Sequence, residues 1–225
     1  MQPPEAPAAE LRAALAEIGH TLALGLTETQ LDTLLAYLAL LQRWNATYNL
    51  TAVRDPAQML TQHLADCLAV IGPLRRHSAT TPCRRILDVG SGGGLPGIVI
   101  AALNPDVQVT CVDTVGKKAA FIRQAAGELA LKNLFAEHAR VEQLKAAPFD
   151  VIVSRAFASL AGFTRLTRQH LAPQGVWMAM KGKMPDDEMT ALTAELDVFH
   201  VEQLSVPGLQ AERCLIWIRP QTPSL

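Results

Sequence analysis

The segment Arg85-Ile86-Leu87-Asp88-Val89-Gly90-Ser91-Gly92-Gly93-Gly94-Leu95-Pro96-Gly97 constrains this chain more than any other. A short apolar run ends around an acid, a glycine-rich turn follows, and a proline stands where a helix should begin. Glycine has no Cβ and tolerates positive φ, so such a turn lets backbone come close to a ligand. Gly90–Gly94 satisfies GxGxG and Gly92–Gly97 satisfies GxGxxG. Between a strand and a helix, this is the nucleotide-binding turn of an α/β fold.

The rest of the chain supports that class. From Arg84 on, apolar runs of four to six residues alternate with helical segments. Strands are predicted at Arg85–Val89, Gln108–Val112, Leu134–Ala136, Asp150–Ser154 and Val176–Met180, and helices at Pro96–Leu103, Lys117–Leu131, Leu160–Leu171 and Pro185–Glu195. Two further runs, His200–Val206 and Arg213–Arg219, have no clear helix between them. They predict a closing antiparallel hairpin on a mostly parallel sheet.

The first third reads as helical. Leu11, Leu15 and Ile18 recur at helical spacing over Glu10–Ile18, and Gly19 ends the pattern. Thr27 and Gln30 form a capping-box pair, opening a helix to about Trp44 that buries Leu31, Leu34, Leu35, Leu38 and Leu41. Asp55-Pro56 starts another, running to about Ile71, where Gly72-Pro73 stops it. The polar stretch from Arg75 to Pro82 reads as a linker. The expected organisation is a tail and helical extension over residues 1–74 and an α/β core over 83–220, with the prolines before Glu10 in a frayed tail.

Composition narrows the class. A 49% hydrophobic content in 225 residues and a mean hydropathy of +0.16 suit a well-buried core rather than disorder. The net charge of −1 gives no global basic field, so any nucleic-acid partner must use a local patch. No uncharged apolar run approaches the length of a membrane span. The opening Met1–Pro7 has neither the basic flank nor the apolar stretch of a secretory signal, so a cytoplasmic location is expected. Cys67, Cys83, Cys111 and Cys214 form no CxxC pair and no zinc spacing with histidine, and read as buried thiols in a reducing compartment.

The ligand of the turn is a matter of charge. Asp113 ends the second strand, 23 residues after Gly90, where an acid accepts hydrogen bonds from a ribose diol; it also suits a helix N-cap. Asp88 lies just before the turn. An acid there disfavours a pyrophosphate but favours S-adenosylmethionine, whose sulfonium and α-amino group are cationic. Ala139-Arg140-Val141-Glu142 follows the third strand and can meet an adenine edge, although Glu142 also fits an exposed first-turn helix acid. Arg155 sits at the end of the fourth strand, where ligands of parallel sheets bind.

These motifs together resemble the GidB/RsmG family, bacterial methyltransferases that modify a guanine N7 in small-subunit ribosomal RNA. The resemblance rests on Trp44-Asn45-Ala46-Thr47-Tyr48-Asn49-Leu50-Thr51, His63-Leu64-Ala65-Asp66-Cys67, Asp88–Gly97, Ser154-Arg155-Ala156-Phe157-Ala158-Ser159 and Lys181-Gly182-Lys183, and spans about residues 25–219. It implies a class I, Rossmann-like methyltransferase with a mostly parallel seven-stranded sheet flanked by helices, an N-terminal helical extension, and S-adenosyl-L-methionine as cofactor. The family's cofactor contacts carry over to Gly90, Leu95, Val141, Glu142 and Arg155, with Val141 in place of a frequent alanine. Gly92, Asp88 and Asp113 join them from the residue reading.

Guanine N7 is a lone-pair nucleophile with no proton to lose, so positioning and electrostatics suffice. The candidates for catalysis are Asn49, Asp66, Arg155 and Lys181. Those for substrate binding are Asn49, His63, Lys181 and Lys183. Asn49 and Asp66 suit a guanine edge, and Arg155 suits O6 or a phosphate. His63 fits a structural role equally well, and the two lysines fit a solvated turn. The expected partner is small-subunit rRNA or the assembled subunit, approached by a monomer, with no membrane or metal. From the residues alone three other readings stay open: a methyltransferase for another substrate, a nicotinamide-dependent oxidoreductase using Gly92–Gly97, and a nucleotide-binding module without catalysis.

Overall fold

The computed structural model describes residues 5–155 and 159–221. Its centre is a seven-stranded sheet of β1 (Arg85–Val89), β2 (Gln108–Asp113), β3 (Leu134–His138), β4 (Phe149–Arg155), β5 (Leu171–Lys181), β6 (Leu196–Gln203) and β7 (Cys214–Pro220). The order is β3-β2-β1-β4-β5-β7-β6. The first five pair in parallel, and β7 runs antiparallel to both β5 and β6. The expected parallel sheet closed by an antiparallel hairpin is present. The strand order reverses between β1 and β4, and the carboxyl ends of strands at such a reversal are where open α/β sheets bind ligands.

Alternation along the strands divides the core. Ile86, Val151, Val153 and Met178 face one apolar cluster, while Leu87, Ile152, Trp177 and Ala179 face the other. The first cluster is covered by α6 (Gly97–Leu103) and α7 (Gly116–Glu128), the second by α8 (Leu160–Thr167). The N-terminal helices α1 (Glu5–Thr21) and α2 (Glu28–Tyr48) join the first cluster through Leu15, Leu34, Leu38 and Leu41, so extension and sheet share one continuous core.

The capping box holds: Thr27 Oγ1 accepts from the Gln30 amide at 3.2 Å and Gln30 Oε1 accepts from the Thr27 amide at 3.0 Å. Several boundaries differ from the sequence reading. Helix α1 starts at Glu5 and runs past Gly19 to Thr21. Gly19 serves packing rather than termination, since a Cβ there would lie 2.6 Å from Leu26. Helix α2 continues past Trp44 to Tyr48 and ends on Asn49 in the left-handed conformation, φ 49°. The helix from Asp55 is broken into α3 (Pro56–Met59), a π-helical segment Leu60–Ala65, and α4 (Asp66–Leu68).

The expected linker from Arg75 to Pro82 is instead mostly helix, α5 (Ile71–Thr80), with Pro73 in its first turn. A proline there breaks nothing, because the first-turn amides have no intrahelical acceptor. Helix α9 covers only Asp186–Thr190. Strand β5 begins at Leu171 and β6 at Leu196, both earlier than hydropathy alone suggested, and α8 gives way to a 3₁₀ turn at Arg168–His170.

Candidate active site

The glycine turn closes over the end of β2. The amides of Gly90 and Ser91 donate to the Val112 carbonyl at 2.9 and 3.3 Å. Gly90, Gly92 and Gly94 all have positive φ, from 58° to 81°. At Gly92 a Cβ would meet nothing within 4 Å, so the backbone requires glycine there and leaves open space above it. Gly92 donates its amide to Asp113 Oδ2 at 2.9 Å, and Asp113 Oδ1 accepts from the Val115 amide at 2.9 Å. Asp113 is therefore both the loop cap before α7 and a brace for the turn. Tyr37 Oη, from α2, donates to the Gly93 carbonyl at 2.8 Å.

Asp88 lies beneath the turn, fully buried. Its Oδ2 accepts from the Gly97 amide at 2.8 Å, while Oδ1 has no hydrogen-bond partner among the described residues. Burial pushes its pKa up to about 7, against the pull of the Gly97 bond and of Arg155. The side chain does not line the cavity in front of the turn, so the structure offers no direct contact from Asp88 to a ligand amine there.

That cavity, about 470 Å³, runs from Gly90–Gly93 and Leu95 to the ends of β4, β5 and β7. Its volume is in the range of small-molecule sites. Its outer wall comes from the helical extension: Leu41, Leu50, Thr51, Gln62, His63 and Asp66. The opposite wall carries Arg155, Met180, Lys181, Gly182 and Arg213.

Gly90, Gly92, Leu95, His63, Asp66, Arg155 and Lys181 are thus brought to one cavity. The buried Asp66 sits between two arginines. Its Oδ2 accepts from Arg155 Nη1 at 3.2 Å and its Oδ1 from Arg213 Nε at 2.8 Å. Lys181 Nζ pairs with both carboxylate oxygens of Glu188, at 2.9 and 3.0 Å. His63 Nε2 lies 2.8 Å from Thr51 Oγ1, and its buried Nδ1 has no hydrogen-bond partner among the described residues. Burial, reinforced by Arg155, lowers the His63 pKa and favours the neutral ring. Cys67 is no candidate nucleophile, because burial pushes its thiol up to about 12.

Other expected residues lie outside the cavity. Asn49 does not line it; its Oδ1 accepts from Arg54 Nη2 at 3.1 Å. Lys183 is exposed on the turn after β5. Val141, buried, and Glu142, exposed, form a 3₁₀ turn after β3, and the Val141 carbonyl meets His170 Nε2 at 2.6 Å. The turn approaches Asp113, whose carbonyl accepts from the Ala139 amide at 3.2 Å. Ala156, Phe157 and Ala158, part of the string used for the resemblance, lie outside the described residues. Among the described residues no group of three or more His, Cys, Asp or Glu is arranged to hold a metal ion, and no helix is long and apolar enough to cross a membrane.

Two residues escaped the sequence reading. Arg213 opens the run Arg213–Arg219 and belongs to no motif, yet it reaches the cavity because β7 returns beside β5, pairing Cys214 with Lys181. Asn45, buried on α2, accepts from the Thr51 amide at 2.9 Å through Oδ1 and donates to the Val53 carbonyl at 3.1 Å through Nδ2. It continues the buried stripe Leu34, Leu38, Leu41 at helical spacing, a signal that could have found it.

A family profile described as rRNA small subunit methyltransferase G matches residues 30–216. The chain belongs to the GidB family. The chain is 63% identical over 214 residues to "Ribosomal RNA small subunit methyltransferase G" of Acidovorax sp. (strain JS42), covering 92% of this chain and 94% of that relative. It is 66% identical over 197 residues to the protein of the same name in Leptothrix cholodnii, covering 88% and 90%. Among solved structures it is similar to TrmN from Thermus thermophilus (TM-score 0.54, 19% identity, 72% of this chain and 53% of that one). It is also similar to the ribosomal protein L11 methylase from Lactobacillus delbrueckii subsp. bulgaricus (TM-score 0.54, 15% identity, 69% and 78%). These two share the fold. This GidB protein is a class I methyltransferase, and S-adenosylmethionine is its methyl donor. Membership sets aside the oxidoreductase reading of Gly92–Gly97.

Proposed function

We propose that this GidB protein transfers the methyl group of S-adenosylmethionine to N7 of a guanine in the RNA of the small ribosomal subunit. The observation that carries this reading is the single cavity that joins the glycine turn to a cationic wall. One end suits the donor, and the other suits a nucleotide.

The residues fit the cofactor. Gly92 leaves open backbone at the turn. Asp113 keeps lone pairs on both oxygens beyond the two amide bonds they accept, and these can take a ribose diol. Val141 and Glu142, on the turn after β3, would meet the adenine edge, and Gly90 and Leu95, which line the cavity, would hold the methionine arm. Asp88 acts through the turn, holding the start of α6 by its bond to Gly97. When bound, the donor supplies an electrophilic methyl group on a sulfonium.

The chemistry asks little else of the protein. With donor and guanine bound, the N7 lone pair would take the methyl group as the C–S bond broke, the bonding pair going to sulfur and the positive charge to the purine. No proton is removed, so neither a general base nor a metal is needed. The neutral His63 with Thr51, and Lys181 balanced by Glu188, hold the base in line with the donor, a positioning contribution. Asp66 positions Arg155 and Arg213, each of which donates to one of its oxygens. Asn49 and Lys183, at the rim, meet the RNA outside the cavity. The enzyme works in the cytoplasm as a monomer.

The test is methyl transfer from labelled donor to small subunits purified from cells lacking the enzyme, with the modified base mapped. Label on a guanine N7 of the small-subunit RNA is expected. No label in that RNA would overturn the reading.

A further inference from the structure

Asp66 is a buried carboxylate shared by two guanidinium groups from distant parts of the chain. Arg155 ends β4, and Arg213 immediately precedes β7. Sharing one carboxylate leaves the trio with a net charge of +1. Arg213 Nε is bound to Asp66 and Nη1 to the Glu212 carbonyl at 2.8 Å, whereas Nη2 has no protein partner among the described residues. Its side chain is 25% exposed and lines the cavity. The bonds at Nε and Nη1 fix the guanidinium plane and leave the N–H groups of Nη2 for a ligand in the cavity that Arg213 lines. A guanidinium so fixed presents a directed donor to an oxyanion, which a flexible ammonium does not.

The sheet order says which ligand it meets. Asp113, the acid proposed for the ribose, ends β2, and the glycine turn follows β1. Beyond them come β4, β5 and β7 in that order. Arg213 is therefore three strands from the glycine turn, on the side away from Asp113. It is also unsuited to the base, because a second cation beside a purine that gains positive charge would oppose the reaction. An oxyanion of the RNA backbone is the partner that fits both constraints.

We propose that Arg213 binds a backbone phosphate at the target nucleotide and that Asp66 is the positioning residue that aims it. The assignment rests on the RNA-methylating reading above and names the group of the substrate that this wall recognises.

Steady-state kinetics on small subunits from cells lacking the enzyme, repeated over a range of salt, test it together with calorimetry of S-adenosylmethionine. Arg213→Ala should raise KM for the subunit by about tenfold or more. It should also make the plot of log kcat/KM against log salt shallower by about 0.7 to 1, the loss of one phosphate contact. Cofactor affinity should change less than threefold. Arg213→Lys and Asp66→Asn should raise KM while keeping the wild-type salt slope, because charge remains and orientation is lost. Arg213→Lys keeps the test available if the alanine variant does not fold. An unchanged slope in Arg213→Ala, or a cofactor affinity that falls as far as KM rises, would overturn the assignment while wild-type turnover stands. Absence of wild-type turnover on these subunits would overturn both readings.

Discussion

The carboxylate of Asp88 accepts the Gly97 amide at 2.8 Å, and Gly97 is the residue whose missing Cβ makes that approach possible. A Cβ on Gly97 would lie 2.4 Å from Cys111 Sγ and 2.9 Å from Asp88 Oδ2. The bond ties the first turn of α6 to β1, so the floor of the cofactor end is built by a strand acid and a helix glycine nine residues apart in sequence.

Gly97→Ala should therefore destabilise the protein. Overpacking a tight site costs about 1–3 kcal/mol, and here the neighbours are a strand side chain and a buried carboxylate with little room to retreat. Urea denaturation should show the loss, and S-adenosylmethionine affinity should fall with it because the turn shifts. A variant with wild-type stability and affinity would show that the close approach is not rigid.

Asp88 also gives a pH signature. Its folded pKa stands near 7, above its ordinary value. The folded protein then holds a proton that the unfolded chain has released, and stability falls as pH rises from about 4 through about 7. His63 and His77, both lowered by burial, act in the opposite sense: each favours the folded state more as pH rises through the same region. The clean measurement is the difference between wild type and Asp88→Asn. From pH 5 to pH 8 the wild type should lose stability relative to the variant by a few kcal/mol, given ~1.4 kcal/mol per pKa unit. A constant difference would mean that Asp88 titrates normally.

How much of this was legible depends on what held each element. The parallel strands β1, β2, β4 and β5 carry apolar runs buried on both faces, and such runs stand out; the glycine turn stands out because positive φ demands glycine. The helix breaks do not. Pro73 reads as a stop and is a first-turn proline, and nothing in the residue types of Leu60–Ala65 marks the π-helical segment there. Asn45 and Asn49 stand in one string, and only the bonds of Asn45 to Thr51 and Val53, which the string does not show, mark it as the brace of the cavity wall. Arg213 required the register between β5 and β7, which local sequence does not contain.

Asn45→Ala should cost stability and substrate recognition together. It leaves the Thr51 amide and the Val53 carbonyl without the partner they now have. Each such loss in a buried setting costs about 1–3 kcal/mol. Thr51 in turn holds His63, so KM for the RNA substrate should rise more than cofactor affinity falls. Equal effects on both would show that Asn45 supports the fold without shaping the substrate wall.

Asp113 carries the most connections at the cofactor end. It braces Gly92, caps Val115, and in the proposed reading accepts the ribose diol. Asp113→Ala removes all three, so a loss of cofactor affinity would not by itself identify the ribose contact. Asp113→Asn does not separate them either: its amide oxygen can still accept one backbone N–H, but the NH2 group that replaces the second oxygen donates and cannot accept the other. The informative comparison is therefore between S-adenosylmethionine and its 2′-deoxyribose analogue. Wild type should bind the analogue about tenfold or more weakly, the cost of leaving a charged acceptor unpaired. In both Asp113 variants the two ligands should bind alike. If the preference for the ribose hydroxyl survives in Asp113→Ala, another residue reads the sugar, and Asp113 is a brace for the turn alone.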